Sequence, residues 1–393
     1  MNVIKYILAA ATIFATACND TEYIEAPQLP VKSVLVYNKG FEDYIDVFTI
    51  NNAVAVLQNA EQNYISLVII NPDGTTSLSE PIPRFDEMNG DEVAMKFSRE
   101  HVQNNRGEVF FYGMPVDEEE PKLKVAKLNH EGKLIYNHVY DNVFHVYGAA
   151  ACDDGSFVFF CKDYYEHSDS ERYVMRVIDQ NGELRNYMIV LDIDILPNIE
   201  YFDLCLCFDD RIFIAKDEKY FVLKMDGTFV KTGTFPGYCV YDVKGKYADG
   251  AFYFLSIEDV WAENYFSFQY YVHKIDVDGN LLFSKTFDVN EPSTNITIDN
   301  EKLIVSGKKP RADNYDDYLG RIWVFDKNNG NLTDSVTLNY DGNIMPRIIL
   351  PAQNGGYDVF LTRIKASDKW LKEENLPIYI YHTDNLHDIN VEN

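Results

Sequence analysis

The sequence predicts an all-β chain wound into a β-propeller of seven four-stranded blades, and three observations carry this. One pattern recurs seven times: an apolar strand, a Gly/Asp/Asn turn, then a second short strand. Neighbouring turn glycines lie between 45 residues (Gly182 to Gly227) and 58 residues (Gly74 to Gly132) apart, the length of one four-stranded blade. No long segment after residue 30 carries helical periodicity.

The first copy is SLVIINPDGTTSLSEPI, the fifth YVHKIDVDGNLLFSKTF and the seventh IYIYHTDNLHDINVEN. Their turns centre on Gly74, Gly132, Gly182, Gly227, Gly279 and Gly330, with Asn385 in the seventh, the next best residue for a positive φ. A second hairpin precedes each copy, as in CDDGSFVFFCKD and YADGAFYFLSI. Each unit therefore reads as strand a, tight turn, strand b, variable loop, strand c, tight turn, strand d. The units cover 44–82, 95–140, 144–190, 201–235, 238–287, 293–338 and 345–393. A ring of blades must close, because an unpaired outer strand is an open edge. Ser33 to Tyr37 is the apolar stretch available to complete the last blade. Six blades plus a terminal hairpin is the alternative, should 44–82 be too short for a blade.

The chain begins with a targeting segment, residues 1–17. Lys5 supplies its positive charge, and Tyr6 to Ala17 is an apolar run too short to span a bilayer. The run ends in Ala15-Thr16-Ala17-Cys18, which resembles the bacterial lipobox, although Ala15 stands where that motif usually has Leu. The resemblance implies cleavage before Cys18 and a lipid on its sulfur, hence a membrane anchor. A plain signal peptide cut after Ala17 is the alternative. Residues 18–30 are acidic and proline-containing and read as a tether, leaving 31–393 as one propeller domain. The implied localisation is the cell envelope, on the outer-membrane surface.

The formal net charge of −27 disfavours nucleic acid, since phosphate binding draws on Lys and Arg. It also disfavours adsorption to anionic lipid. Five cysteines remain after Cys18 (Cys152, Cys161, Cys205, Cys207 and Cys239), an odd number that cannot all pair, and the expectation is buried free thiols.

The a–b and c–d turns are short, whereas the b–c loops are long and unlike one another. Variable loops on a rigid frame are where binding sites accumulate, so the b–c face is the expected functional face. Its loops carry aromatics among carboxylates and amides: Tyr164 and Tyr165 in the third unit, Trp261 and Tyr265 in the fifth, Tyr315 and Tyr318 in the sixth, and Trp370 in the seventh. A flat ring stacks on the apolar face of a pyranose while the polar groups take its hydroxyls. The competing reading is that these rings pack the loops onto their own blades.

Asp276-Val277-Asp278-Gly279-Asn280 opens like a calcium loop but has Phe287 where that pattern wants Glu, and it reads better as a hairpin turn. No Gly-x-Ser-x-Gly elbow, His-Glu-x-x-His or phosphate loop is present, and no cofactor or metal is expected. His145, and less clearly His101, fall where strand a lines the channel, and a structural role is expected of each.

The repeat organisation, over nearly the whole mature chain, resembles the propeller lipoproteins common in Bacteroidetes. It carries neither the Trp-Asp signature of WD40 repeats nor the Ser-x-Asp-x-Gly-x-Thr-Trp box of sialidase-type propellers. Two functions follow as expectations: a non-enzymatic binding module for a glycan or an envelope protein, or a glycoside hydrolase or lyase with its site at the channel mouth.

Overall fold

The computed structural model describes residues 32–37, 47–58, 64–83, 85–88, 91–115, 121–164, 171–185, 189–190, 201–239, 245–262, 265–287, 291–311, 314–338, 343–364 and 375–389. These form seven antiparallel sheets. Blade 1 runs from Val47 to Pro83, blade 2 from Phe85 to Asp141, blade 3 from Phe144 to Val190 and blade 4 from Leu204 to Thr234. Blade 5 runs from Tyr238 to Phe287 and blade 6 from Glu291 to Leu338. Blade 7 takes strands a to c from Asn343–Pro351, Tyr357–Ile364 and Asn375–Thr383. Seven sheets exclude the six-blade alternative.

The ring is held by seven apolar cores, one between each pair of neighbouring blades. The near-continuous apolar runs of the middle strands produce this, because successive side chains point to opposite faces and both faces of a blade meet a neighbour. The last core joins Val47, Val54 and Val56 of blade 1 to Ile348, Phe360, Ile378 and Ile380 of blade 7, so the ring is closed by packing.

Closure also uses the chain's early residues. Lys32–Tyr37 pairs antiparallel with Asn375–Thr383, from Lys32 opposite Ile380 to Tyr37 opposite Asn375. It takes the outermost place in blade 7, as the apolar stretch before the first unit suggested. One expectation fails here. The seventh copy does not make a c–d hairpin at Asn385, which has no positive φ. Leu386–Ile389 forms a 3-10 turn instead, burying Leu386 and Ile389 in the core between blades 6 and 7. The edge on which that hairpin's second strand would lie is already filled by residues 32–37.

The turn glycines have two tasks. Gly74, Gly132, Gly182, Gly227, Gly279 and Gly330 all have φ between 71° and 87°. Several also seat the turn against the preceding blade. A Cβ on Gly182 would come within 2.9 Å of Tyr136 and His138 of blade 2, and one on Gly279 within 2.7 Å of Lys231 of blade 4. The glycine carbonyls are grasped from the same side: Tyr140 Oη donates to Gly182 at 2.7 Å and Tyr220 Oη to Gly279 at 2.9 Å. Asp276 Oδ1 accepts the amides of Asp278 and Asn280 at 3.0 and 2.7 Å, so the calcium-like segment is a hairpin turn, as read.

The cysteines depart from expectation. Cys152, at the end of strand a of blade 3, and Cys207, on strand a of blade 4, form a disulfide that ties the two innermost strands together. Cys161, Cys205 and Cys239 take no part in the disulfide, and Cys161 and Cys239 are buried. Cys205 and Cys207 share one face of their strand, and Cys207 is the one bonded to Cys152 across the blade interface.

Candidate functional site on the b–c face

The two ends of the ring are built differently. On one end the a–b turns of blades 1, 4, 5 and 6 have only two residues each: 51–52, 209–210, 249–250 and 300–301. The other end carries the b–c connections and three projecting β-hairpins. In blade 5, strands b and c run Ala251–Ala262 and Tyr265–Asp276, yet strand a pairs no further than Ile257 and strand d no further than Tyr270. Residues 258–262 and 265–269 therefore stand up as a two-stranded arm. Blade 6 does the same: Lys302–Arg311 and Asn314–Asp326 outrun strands a and d, whose pairing stops at Lys308 and Gly320. The third is the hairpin of Phe85–Met88 with the start of Asp91–Gln103, at the entry to blade 2.

The arms correct the sequence reading in form. The segments of units five and six taken as loops are strand extensions, with Trp261 in register with Phe266, Ala262 with Tyr265, and Tyr318 with Pro310. Pairing carries residues of low β-propensity along once the register is set at the base. Trp261, Tyr265, Tyr315 and Tyr318 thus sit on two arms at the b–c end. Tyr164 ends strand b of blade 3, opposite Glu171. Tyr165 and Trp370 lie outside the described residues.

The base of the blade 5 arm is bolted down. Tyr271 Oη donates to the Glu258 carboxylate, and burial together with that anion pushes the phenol up to about 12. Tyr238 Oη donates to Asp259 Oδ1 at 3.1 Å. Beneath them Ser256 Oγ lies 2.7 Å from His273 Nε2 and donates to the Pro236 carbonyl at 2.6 Å. With the serine proton committed to Pro236, His273 donates from Nε2 and its Nδ1 is left without a partner. A serine beside a histidine is the arrangement of an activated nucleophile. Both residues are 0% exposed, and Phe235 and Phe254 pack on the ring at 5.2 and 4.7 Å. The pair is a strut under the arm, out of reach of any substrate. Burial lowers the His273 pKa to about 3.

A second feature of this face lies at the junction of blades 3 and 4, and the sequence reading did not single it out. Tyr201, in the link between the blades, is 59% exposed, with its ring 6.1 Å from Tyr147. Tyr147 packs in turn against Tyr173 at 5.3 Å and lies 6.0 Å beneath Lys162 Nζ. Phe202 N donates to the Tyr147 carbonyl at 2.7 Å, which fixes the link over strand a. Two buried tyrosines thus support an exposed third, on the same blade as Tyr164. The signal that could have found Tyr201 is its place in a d–a link, which leaves a blade on the same face as the b–c loops.

His145 lies at the b–c end of strand a of blade 3, as expected. It is exposed, in a bulge with φ of 39°. His101 is buried, its ring tilted against Phe48 at 3.9 Å and Phe111 at 5.7 Å in the core between blades 1 and 2, a structural histidine as read. The channel is crossed by side chains near the opposite end. Lys246 of blade 5 donates to Thr49 Oγ1 of blade 1 at 3.2 Å, and Gln103 of blade 2 donates to the same oxygen at 3.2 Å.

No family model matches the chain, and no curated protein matches it. Among solved structures, the chain is similar in fold to the WD40 domain of Pan2 from Neurospora crassa, at 11% identity and a TM-score of 0.49, covering 89% of this chain and 95% of that one. It is also similar to the polysaccharide lyase Uly1, at 10% identity and a TM-score of 0.45, covering 94% and 95%. A protein of unknown function from Bacteroides caccae gives 12% identity and a TM-score of 0.32, covering 83% and 89%.

Proposed function

We propose that the chain is an envelope lipoprotein, anchored through Cys18, whose propeller is a non-enzymatic binding module with its ligand site on the b–c face. The observation that carries this is the asymmetry of the ring: one end has short a–b turns, of two residues in four blades, and the other has three projecting hairpins and an exposed tyrosine on an aromatic base. The disulfide between blades 3 and 4 supports export, because such bonds persist in oxidising compartments. The ligand class we favour is a glycan, bound by stacking on Tyr201 and on the aromatics of the arms, with Lys162 over the Tyr147 ring that supports the first of these.

The test is a glycan array with the mature protein, followed by calorimetry on single variants. Truncating an anchor ring at a hot spot costs about 2 kcal/mol or more. Tyr201→Ala and Trp261→Ala should each weaken binding about tenfold or more with an unchanged melting temperature. An array without hits shifts the ligand to a protein partner. Two variants that bind normally would remove the site from these rings.

A further inference from the structure

The direction in which the chain enters blade 7 has a consequence for how the molecule stands on a membrane. Strand c of that blade starts at the b–c end with Asn375 and reaches the short-turn end at Thr383, beside the first residue after the a–b turn, Tyr357. Residues 32–37 run the opposite way, from Lys32 opposite Ile380 to Tyr37 opposite Asn375. The chain therefore comes in from the short-turn end and travels toward the b–c end. Lys32 lies three residues, about 10 Å, short of the level of Thr383, and five residues, about 17 Å, from the level of Tyr37.

We infer that the propeller is held with its short-turn face toward the lipid and its b–c face pointing away from the membrane. This rests on the reading of Cys18 as the anchor. Thirteen residues lie between Cys18 and Lys32, a covalent reach of at most about 50 Å. With the short-turn face toward the bilayer, the chain continues in the direction it already has at Lys32. With the b–c face toward the bilayer, it would have to reverse there, climb about 17 Å to the rim, and clear the blade 5 arm. That arm adds five residue pairs, about 17 Å more. The reversed pose uses about 35 Å of the reach before the lipid is met, and it presses the arms into the headgroups.

The charges agree with a domain held by its tether and not by adhesion. The short-turn face presents Asp153, Asp209, Asp249, Asp278 and Glu301, which an anionic surface repels. The consequence for the binding site is direct: its partner is a molecule reaching the protein from outside the membrane that carries it.

Energy transfer to the bilayer tests this with the full lipidated chain in phosphatidylcholine vesicles holding a headgroup acceptor dye. A fluorescent amino acid is placed at Asp278 in one sample and at Val260 in another; both are exposed. Val260 is nine positions along its strand from Ala251, which lies at the level of the Asp276 turn, so the two labels differ in height by about 30 Å. Transfer from Asp278 should exceed that from Val260 about threefold or more over such a height. Equal transfer, or more from Val260, overturns the orientation. Flotation of the parent and of Cys18→Ser separates the two readings. Flotation that survives Cys18→Ser, or no flotation of the parent, sinks the anchor and the orientation with it. Loss of flotation in Cys18→Ser together with the reverse order of transfer sinks the orientation alone.

Discussion

Burial takes His273 out of the range in which a histidine ordinarily titrates. Its pKa falls from 6.5 to about 3 because burial in its aromatic pocket disfavours a charged ring. The unfolded chain takes up that proton near pH 6.5 and the folded chain only near pH 3. The stability linked to this residue is therefore complete above pH 6.5 and is lost as the pH falls toward 3. His273→Phe keeps a ring between Phe235 and Phe254 and leaves Ser256 its bond to Pro236. The difference in unfolding free energy between parent and variant should shift in the variant's favour between pH 7 and 4, followed by urea titration. A difference that stays constant over that range would show that the ring is not neutral in the fold. The residue scale is also where the sequence was least legible. Ser256 and His273 lie 17 positions apart on strands b and c, and only the strand register, with Ser256 opposite Tyr271 and Phe254 opposite His273, puts them side by side.

At the scale of elements, the disulfide staples two strands that the repeat pattern treats as equivalent to all the others. It closes a separation of 55 residues between blades 3 and 4, which in the chain-entropy model amounts to about 4 kcal/mol, with about 2–4 typical of measurement. Cys152→Ala with Cys207→Ala should lower the unfolding free energy by about 2–4 kcal/mol. A reducing agent should reproduce the loss in the parent and do nothing further to the double variant. Stability unchanged by both treatments would mean that the bond adds nothing to packing already complete. The turn glycines were legible because a positive φ is a local demand and glycine meets it locally. The disulfide was not, because a thiol's partner is set by which strand lies across the interface. Likewise the arms of blades 5 and 6 looked like loops because Asp259, Glu263, Asp313 and Asp316 are poor strand residues, and only the hairpin register makes strand of what surrounds them.

For the whole molecule, seven similar units imply a ring, and the ring implies a seam. The first and last described strands meet in blade 7, where residues 32–37 cover the edge of Asn375–Thr383 through six paired positions. Deleting residues 32–37 should cost about 3 kcal/mol or more, at about 1 kcal/mol net for each ladder hydrogen bond lost. Thermal unfolding checks this, and an unchanged melting temperature would show that the core between blades 7 and 1 closes the ring unaided. The blade count and the closing strand were readable from periodicity. The partner on the b–c face was not, because periodicity describes the scaffold, and the departures from it (the arms and the inter-blade link of Tyr201) are what distinguish one propeller from another.

That seam also sets an order of events in time. Six blades pair strands close along the chain and can condense as each is made, but the pairing of Lys32 with Ile380 spans 348 residues (380 less 32). Lys32–Tyr37 is made long before the strand it pairs with. It waits through synthesis with its edge unsatisfied, and the step expected to be slow is the one that joins these two strands. Catching the chain before that step, with a synthetic strand matching residues 32–37, would hold it as an open crescent.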